Sequence, residues 1–312
     1  MKKYVIDKIV QYIIVLVAVS IIIFLMVRLN KTDPVSVICG GKQTTPETIA
    51  NIRAEFNLDK SCMEQYVIWI NGMFHGDFGT SFQYRQSVTT LIANRIPVTA
   101  GIVLLAALFS VIIAIPTGII TAIRQNSILD TGISVLQLIL VACPPFLTCI
   151  LMILVISSTS PGFSFTGSYG NFGEFIQRIS LPAVALAFSM IALTSRVMKT
   201  SMIEQLNSNY KLVATAKGLP DSKIILGHCV KNASIPVITI LATQIGVLLV
   251  GSVLVENVFS LAGLGGILID GIKSCDYPVV QGITMLMVFI FLTISALMDI
   301  LYGIIDPRIR IK

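Results

Sequence analysis

The stretch that decides how this chain folds is Asn209–Ile238, which reads NYKLVATAKGLPDSKIILGHCVKNASIPVI. Its first part has apolar residues at helical spacing. This part ends at Lys217, which suits the last turn of a helix, and at Gly218, which suits the left-handed residue after it. Pro220 cannot continue that helix, and we expect Asp221 to cap a second one. The sequence predicts a compact helix–turn–helix loop, with an ordinary basic loop as the alternative.

The chain on either side of this stretch is strongly apolar. The 312 residues are 55% hydrophobic and 12% charged, with a mean hydropathy of +0.88, whereas a soluble domain carries about 25% charged residues. So few charges cannot coat a water-soluble globule, and this hydrophobicity excludes a disordered chain. The net charge of +6 is not concentrated as in a nucleic-acid-binding arm, so we expect no nucleic-acid partner. We predict an all-α polytopic membrane protein of one domain, residues 1–312, in a lipid bilayer.

Six apolar segments are long enough to cross the bilayer, because about 20 helical residues span about 30 Å of hydrocarbon. Helix breakers interrupt three of them, which indicates either packing kinks or helices that line a cavity. These breakers are Pro116 with Gly118, the pair Pro144-Pro145, and Gly246 with Gly251. The predicted spans are Ile9–Leu29, Val98–Ile123, Thr131–Ser157, Leu181–Ile203, Ala233–Val255 and Val279–Ile304.

Lysine and arginine indicate the orientation of these spans. With the N-terminus inside, the short outside loops contain only Arg178 and Lys273, and the inside segments contain most of the basic residues. Positive residues are retained on the cytoplasmic side, and long outside segments count little in this rule. We therefore predict cytoplasmic termini, a cytoplasmic loop at 204–232 and an extracytoplasmic segment at 30–97.

The 30–97 segment carries two signatures of helix starts. Thr45-Pro46 has a capping residue before a first-turn proline, and Ser61 with Glu64 has the spacing of a capping box. We predict two short amphipathic helices here.

Two cysteines of the same segment, Cys39 and Cys62, have two possible states. They form a disulfide if the compartment is oxidising, or they remain free thiols.

Residues that would carry catalysis or bind a metal are few. The two histidines, His75 and His228, are predicted on opposite sides of the membrane, and no metal-ligand spacing, phosphate-binding loop or nucleophile pattern is present. Carboxylates in mid-span, which an ion-coupled carrier usually needs, are also missing. We expect a chain that is not an enzyme, binds no metal and no cofactor, and takes its energy from another subunit or an ion gradient.

The Asn209–Ile238 stretch resembles the EAA loop of ABC-importer permeases, which docks into a groove on the ATP-binding subunit. Three other stretches are similar to the B-type inner-membrane subunit of the oligopeptide/dipeptide/nickel family. They are GDFGTSFQYRQSVTTLIANRIPVT at Gly76–Thr99, VENVFSLAGLGGILIDGIKSCDYPVVQG at Val255–Gly282 and DILYGIIDPRIRIK at Asp299–Lys312.

This resemblance implies the type I ABC importer fold, with six transmembrane helices and a coupling helix in the cytoplasmic loop. It implies a permease subunit in the bacterial plasma (inner) membrane that forms half of a pathway for di- or oligopeptides. Nickel or metal-chelate uptake is the alternative within the family, and an ion-coupled carrier acting alone is the alternative outside it. The implied partners are a homologous C-type permease, two ABC ATPase subunits that bind ATP and magnesium, and an extracytoplasmic solute-binding protein.

The resemblance also implies which residues carry the function. The coupling of transport to the ATPases is assigned to Tyr210, Ala214, Thr215, Ala216, Lys217, Gly218, Leu219 and Asp221. Four polar residues are candidates for lining the pathway, with hydrogen bonding between helices as the alternative: Gln137, Thr148, Thr243 and Gln244.

Overall fold

The computed structural model describes residues 2–29, 33–39, 45–159 and 170–305, and these are organised as helices and short connections. The helices are α1 Lys2–Arg28, α2 Pro34–Ile38, α3 Pro46–Glu55, α4 Cys62–Phe74, α5 Val88–Ile123, α6 Ile128–Ala142, α7 Pro145–Thr159, α8 Phe172–Leu206, α9 Asn209–Ala216, α10 Asp221–Ile224, α11 Val230–Val258, α12 Leu264–Lys273 and α13 Tyr277–Ile305, with a π-helical turn at Ile225–Cys229 between α10 and α11. The C-terminal motif at 306–312 lies outside the described residues.

Five of the six predicted spans are continuous in the described part of the chain. They lie in α1, in α5, in α8, in the run from α10 through α11, and in α13, each long and apolar enough to cross a membrane. The sixth span is divided between α6 and α7. Counting that pair as one, the described residues contain the six spans that the sequence predicted.

The third predicted span, Thr131–Ser157, is not one continuous helix. It consists of α6 and α7, which are bent by 104° relative to each other. Cys143, at the end of α6, has extended backbone angles (φ −85°, ψ 115°). The cause is the pair Pro144-Pro145, because a residue before proline avoids the helical region and proline donates no helical hydrogen bond.

Several spans begin earlier than their apolar runs, α5 and α8 among them. α5 begins at Val88 rather than Val98, and α8 begins at Phe172 rather than Leu181. Asn171 caps α8 through a side-chain hydrogen bond to the first turn. Polar residues before the apolar run therefore lengthen these helices. Hydrophobicity alone does not predict this extension.

The segment between α1 and α5 contains both predicted helices. The Thr45 side chain caps α3, and Ser61 with Glu64 forms the complete capping box of α4, which confirms both helix starts. The short helix α2 was not predicted. Cys39 and Cys62 are free thiols in the structure.

The chain groups into two compact units, which are Met1–Thr99 with Ala262–Ala296 and Ala100–Leu261 with Leu297–Lys312. Each unit is described below by itself. The prediction of one membrane domain stays a prediction.

In the first unit, a buried carboxylate joins two distant parts of the chain. Asp276 accepts hydrogen bonds from the Ser81 hydroxyl and from the Phe82 backbone N–H. The same loop is closed by an antiparallel bridge between Thr80 and Ser87. Because a buried carboxylate needs such donors, Asp276 fixes this loop beside the start of α13.

In the second unit, α8 is the central helix and packs against α6, α7 and α11. Its buried residues include several alanines, such as Ala183, Ala187 and Ala192. On α5, a Cβ atom placed on Gly118 would lie 2.7 Å from the Ser195 carbonyl oxygen of α8. Small residues thus allow close approach of helices, as is usual in membrane proteins.

Candidate coupling loop

The coupling loop, residues 204–232, is built around the turn that ends α9. Gly218 has a φ of +77° and its N–H donates to the Thr215 carbonyl at 2.9 Å, while the Leu219 N–H donates to the Ala214 carbonyl at 3.3 Å. This pair of bonds is the Schellman pattern, which uses carbonyls that the helix end would otherwise leave unpaired. The predicted glycine turn is confirmed.

The second half of the loop differs from the prediction. Pro220 occupies the N-cap position, and Asp221 is the first residue of α10 rather than its cap. Proline has no N–H to lose and suits a helix start, and the Asp221 carboxylate lies near the positive end of the helix dipole. α10 runs through the π-helical turn into α11, so one helical run extends from Asp221 to Val258 and no separate second helix exists.

One face of α9 and of the turn that follows it, the inner face, is formed by Tyr210, Ala214 and Leu219, which are partly buried. The Tyr210 hydroxyl donates to the Gln205 side chain at 2.9 Å, and burial raises the pKa of this phenol. The inner face packs against a buried cluster formed by Ala122, Met198, Met202, Ile224, Cys229, Ala233 and Val237. The loop is therefore seated on the ends of α5, α8 and α11.

The opposite face of α9, the outer face, is exposed. Two of its residues are apolar: Leu212 is 69% exposed and Val213 is 54% exposed. Apolar side chains exposed together beside a turn are typical of a contact surface for another protein. The sequence pattern indicated only that these two residues belong to a helix. The other exposed residues of the outer face are Thr215, Ala216, Lys217 and Gly218, and Asp221 is exposed beside them.

The eight predicted coupling residues thus fall into two groups. Tyr210, Ala214 and Leu219 attach the loop to the spans, and the remaining five present an exposed surface. Their part in coupling to an ATPase stays a prediction.

An ion pair near the start of α6 was not predicted. Lys199 of α8 contacts the Asp130 carboxylate of α6, with side-chain exposures of 23% and 7%. Asp130 also accepts the Asn126 backbone N–H at 3.1 Å. Sixty-nine positions separate the two charges, so no local spacing rule could pair them.

The first of the four candidate pathway residues, Gln137, is buried and joins helices. Its side-chain N–H₂ donates to the Ser195 hydroxyl at 2.8 Å, and Ser195 is also hydrogen-bonded to Thr117 at 2.9 Å. This network connects α6, α8 and α5. It is the arrangement expected of hydrogen bonding between helices.

The other three candidates lie in α7 and α11. Thr148 is buried and lines a largely apolar cavity of about 380 Å³ at the α6–α7 bend. Thr243 is exposed and donates to the Ile240 carbonyl of its own helix at 2.9 Å, and Gln244 is half-buried. Whether any of the four lines a pathway stays a prediction.

The described residues contain no group of three or more His, Cys, Asp or Glu side chains placed to hold a metal ion.

Comparison with known proteins identifies the family. Residues 114–311 match the binding-protein-dependent transport system inner membrane component, and residues 1–103 match the N-terminal region of such membrane components. The chain is 34% identical over 314 residues to a Brucella abortus protein whose name assigns it to a peptide transport system as a permease, covering 99% of both chains. It is 33% identical over 322 residues to the dipeptide transport system permease protein DppB of Escherichia coli strain K12, covering 95% of both. The chain therefore belongs to the binding-protein-dependent inner-membrane components, the multi-pass permeases with the type I ABC importer fold.

Proposed function

We propose that this chain is one of the two permease subunits of an ATP-driven importer of short peptides. The family and the names of the similar proteins, a peptide and a dipeptide permease, support this cargo. In this proposal the chain catalyses nothing and forms half of the pathway with a homologous C-type permease. Two ABC ATPase subunits bind ATP and magnesium and hydrolyse the ATP, and an extracytoplasmic solute-binding protein delivers the peptide.

The observation that carries the proposal is the two-sided construction of α9. Its inner face is seated on a buried cluster of the spans, and its outer face, with Leu212 and Val213, is exposed. A helix that is fixed on one side and open on the other can receive a force from a docked protein. The basic residues of the loop support its placement, and that of both termini, on the cytoplasmic side.

Force on α9 has two short routes into the spans. Only Asn207 and Ser208 separate α8 from α9, and α10 continues without a break into α11. A movement of α9 therefore shifts the ends of α8 and α11 together, as rigid helices transmit displacement. Docking drives this movement only if the ATPase binds the loop with different strength in its two nucleotide states.

The test uses the complete importer reconstituted in proteoliposomes, with Gly218→Asp in this chain. A Cβ atom at Gly218 meets nothing of this chain within 4 Å, so the substitution places a negative charge on the exposed outer face where the ATPase would dock, and it also replaces the residue best suited to a φ of +77°. We expect ATP-driven dipeptide uptake and peptide-stimulated ATP hydrolysis to fall together. Gly227→Asp is the matched control, because it adds the same charge at an open position that has no positive φ and lies outside α9 and its turn.

Normal uptake and normal stimulation by the Gly218→Asp complex would overturn the coupling assignment. Uptake of nickel or a metal chelate, without uptake of any dipeptide, would overturn the cargo assignment and leave the coupling assignment standing.

A further inference from the structure

A cavity of about 310 Å³ lies inside the unit formed by Met1–Thr99 and Ala262–Ala296. It is lined by the end of α1, the end of α3 with the residues after it, one side of α4, the loop after α4 and the start of α13. The side chains used below are Arg28 from α1, Trp69 from α4 and Gln281 from α13. The coupling loop belongs to the other unit, so this cavity is a separate feature.

Two residues that line the cavity each carry a buried N–H group with no acceptor. Gln281 is 4% exposed and its side-chain nitrogen has no hydrogen-bond partner. The indole N–H of Trp69 is buried and also has none. Because buried donors are nearly always paired in folded proteins, two unpaired donors on residues that line one cavity make it a candidate site for a ligand with an acceptor.

The third donor carries a positive charge. The Arg28 guanidinium donates to the Gln65 side-chain oxygen at 2.6 Å and to the Phe24 carbonyl at 3.2 Å. The ion pairs among the described residues do not include Arg28. Arginine has five N–H donors, so further donors are available to a ligand, and its planar fork suits a carboxylate.

The cavity also has negative charge, which restricts the ligand. Glu55 and Asp77 are exposed residues that line it. Two carboxylates disfavour a doubly charged phosphate and favour a molecule that carries a cation beside its anion. A small zwitterion has both charges.

We propose that this cavity binds a short peptide by its C-terminal carboxylate. Arg28, Trp69 and Gln281 donate to the carboxylate, and Glu55 and Asp77 attract the ammonium group. The choice of a peptide among small zwitterions rests on the proposed function. The permease itself then binds the peptide cargo at this site.

The chain provides its own probe, because Trp69 is its single tryptophan. The full chain in nanodiscs is titrated with dialanine, dialanine amide, acetate and inorganic phosphate while the Trp69 fluorescence is recorded. We expect a saturable change with dialanine and about tenfold weaker binding of the amide, which lacks the anion for the charge-assisted bonds. Tighter binding of phosphate than of dialanine, or equal binding of dialanine and its amide, would overturn the site.

Two variants test the donors, and one serves as a control. Gln281→Leu and Arg28→Gln should each weaken dialanine binding by about tenfold. Arg53→Gln should leave it unchanged, because Arg53 is also an arginine of this unit but pairs with Asp33 outside the cavity. The titration series on the unaltered chain decides the matter even if a variant does not fold.

Uptake by the complete importer separates this inference from the proposed function. ATP-driven dipeptide uptake without any carboxylate-dependent change in Trp69 fluorescence would overturn the site alone. A carboxylate-dependent response in a chain whose importer takes up no peptide would overturn the proposed function and leave the site standing.

Discussion

Two glycines in the second unit are needed for different physical reasons. Gly218, at the end of α9, has a φ of +77° and a Cβ atom there would meet nothing within 4 Å. Gly118, inside α5, has no positive φ, but a Cβ atom there would lie 2.6 Å from the Cβ atom of Met198. The coupling loop thus needs glycine for its backbone conformation, and the packed spans need it for space. Under the proposed function, the loop is therefore most sensitive to substitutions that change its turn, and the spans are most sensitive to substitutions that add volume.

The largest expected effect is at the packed glycine. Gly118→Val adds a Cβ atom against Met198 and the Ser195 carbonyl of α8, with two methyl groups attached to it. Because that carbonyl belongs to a helix backbone, we expect a loss of about 3 kcal/mol in the free energy of unfolding. Thermal unfolding of the purified chain in detergent measures it, with Gly132→Val as control, since a Cβ atom at Gly132 meets nothing within 4 Å. Equal melting temperatures for the two variants would show that α5 and α8 do not approach so closely.

The ion pair of the spans gives a second, smaller effect. Asp130→Asn leaves Lys199 without its carboxylate, and we expect a loss of about 2 kcal/mol, below the range for a fully buried pair because Lys199 is 23% exposed. The double variant with Lys199→Met should be less destabilised than the sum of the two single changes. Additive losses in the double-mutant cycle would contradict a direct pair.

The open glycine gives the smallest change in stability. Gly218→Ala should cost about 1 kcal/mol, because alanine is strained at a φ of +77° but meets no neighbour. Gly218→Asn should cost less, since asparagine tolerates the left-handed region. Unfolding of both variants is compared with that of Gly227→Ala, where a loss is not expected. A loss for Gly218→Asn larger than that for Gly218→Ala would show that space rather than backbone conformation limits this position.

Much of the fold could be predicted because its signals are local. Apolar runs mark the spans, Ser61 with Glu64 marks α4, and Lys217-Gly218 followed by Pro220 marks the turn after α9. Each of these depends on residues that are neighbours in sequence, so spacing and propensity are enough.

The features that were not predicted depend on distant residues or on geometry. Pro144-Pro145 predicts an interruption, but not a bend of 104°, since packing of α6 and α7 against α8 sets the angle. Asp130 meets Lys199 only after the helices pack. The sequence alone allows Gln137 to be either a pathway residue or a link between helices. Only the tertiary structure places it against Ser195.

The sequence predicted where the candidate site lies, but not which of its residues pack against the spans and which are exposed. The sequence located the glycine turn, yet it grouped Tyr210 and Ala214 of the inner face with Ala216 of the outer face. Which side of α9 is covered depends on Met198 and Met202 of the preceding helix. Helical periodicity alone does not show this on so short a helix.

Cross-linking from α9 tests the central claim most directly. Ala216→Cys, on the exposed outer face, and Ala214→Cys, on the partly buried inner face, are compared in the assembled importer, with the unaltered chain and its six cysteines as background. We predict that Ala216→Cys cross-links to an ATPase subunit, in a yield that changes when ATP is added, and that Ala214→Cys stays at background. An importer that transports normally while Ala216→Cys remains accessible and cross-links to no ATPase subunit would contradict the account.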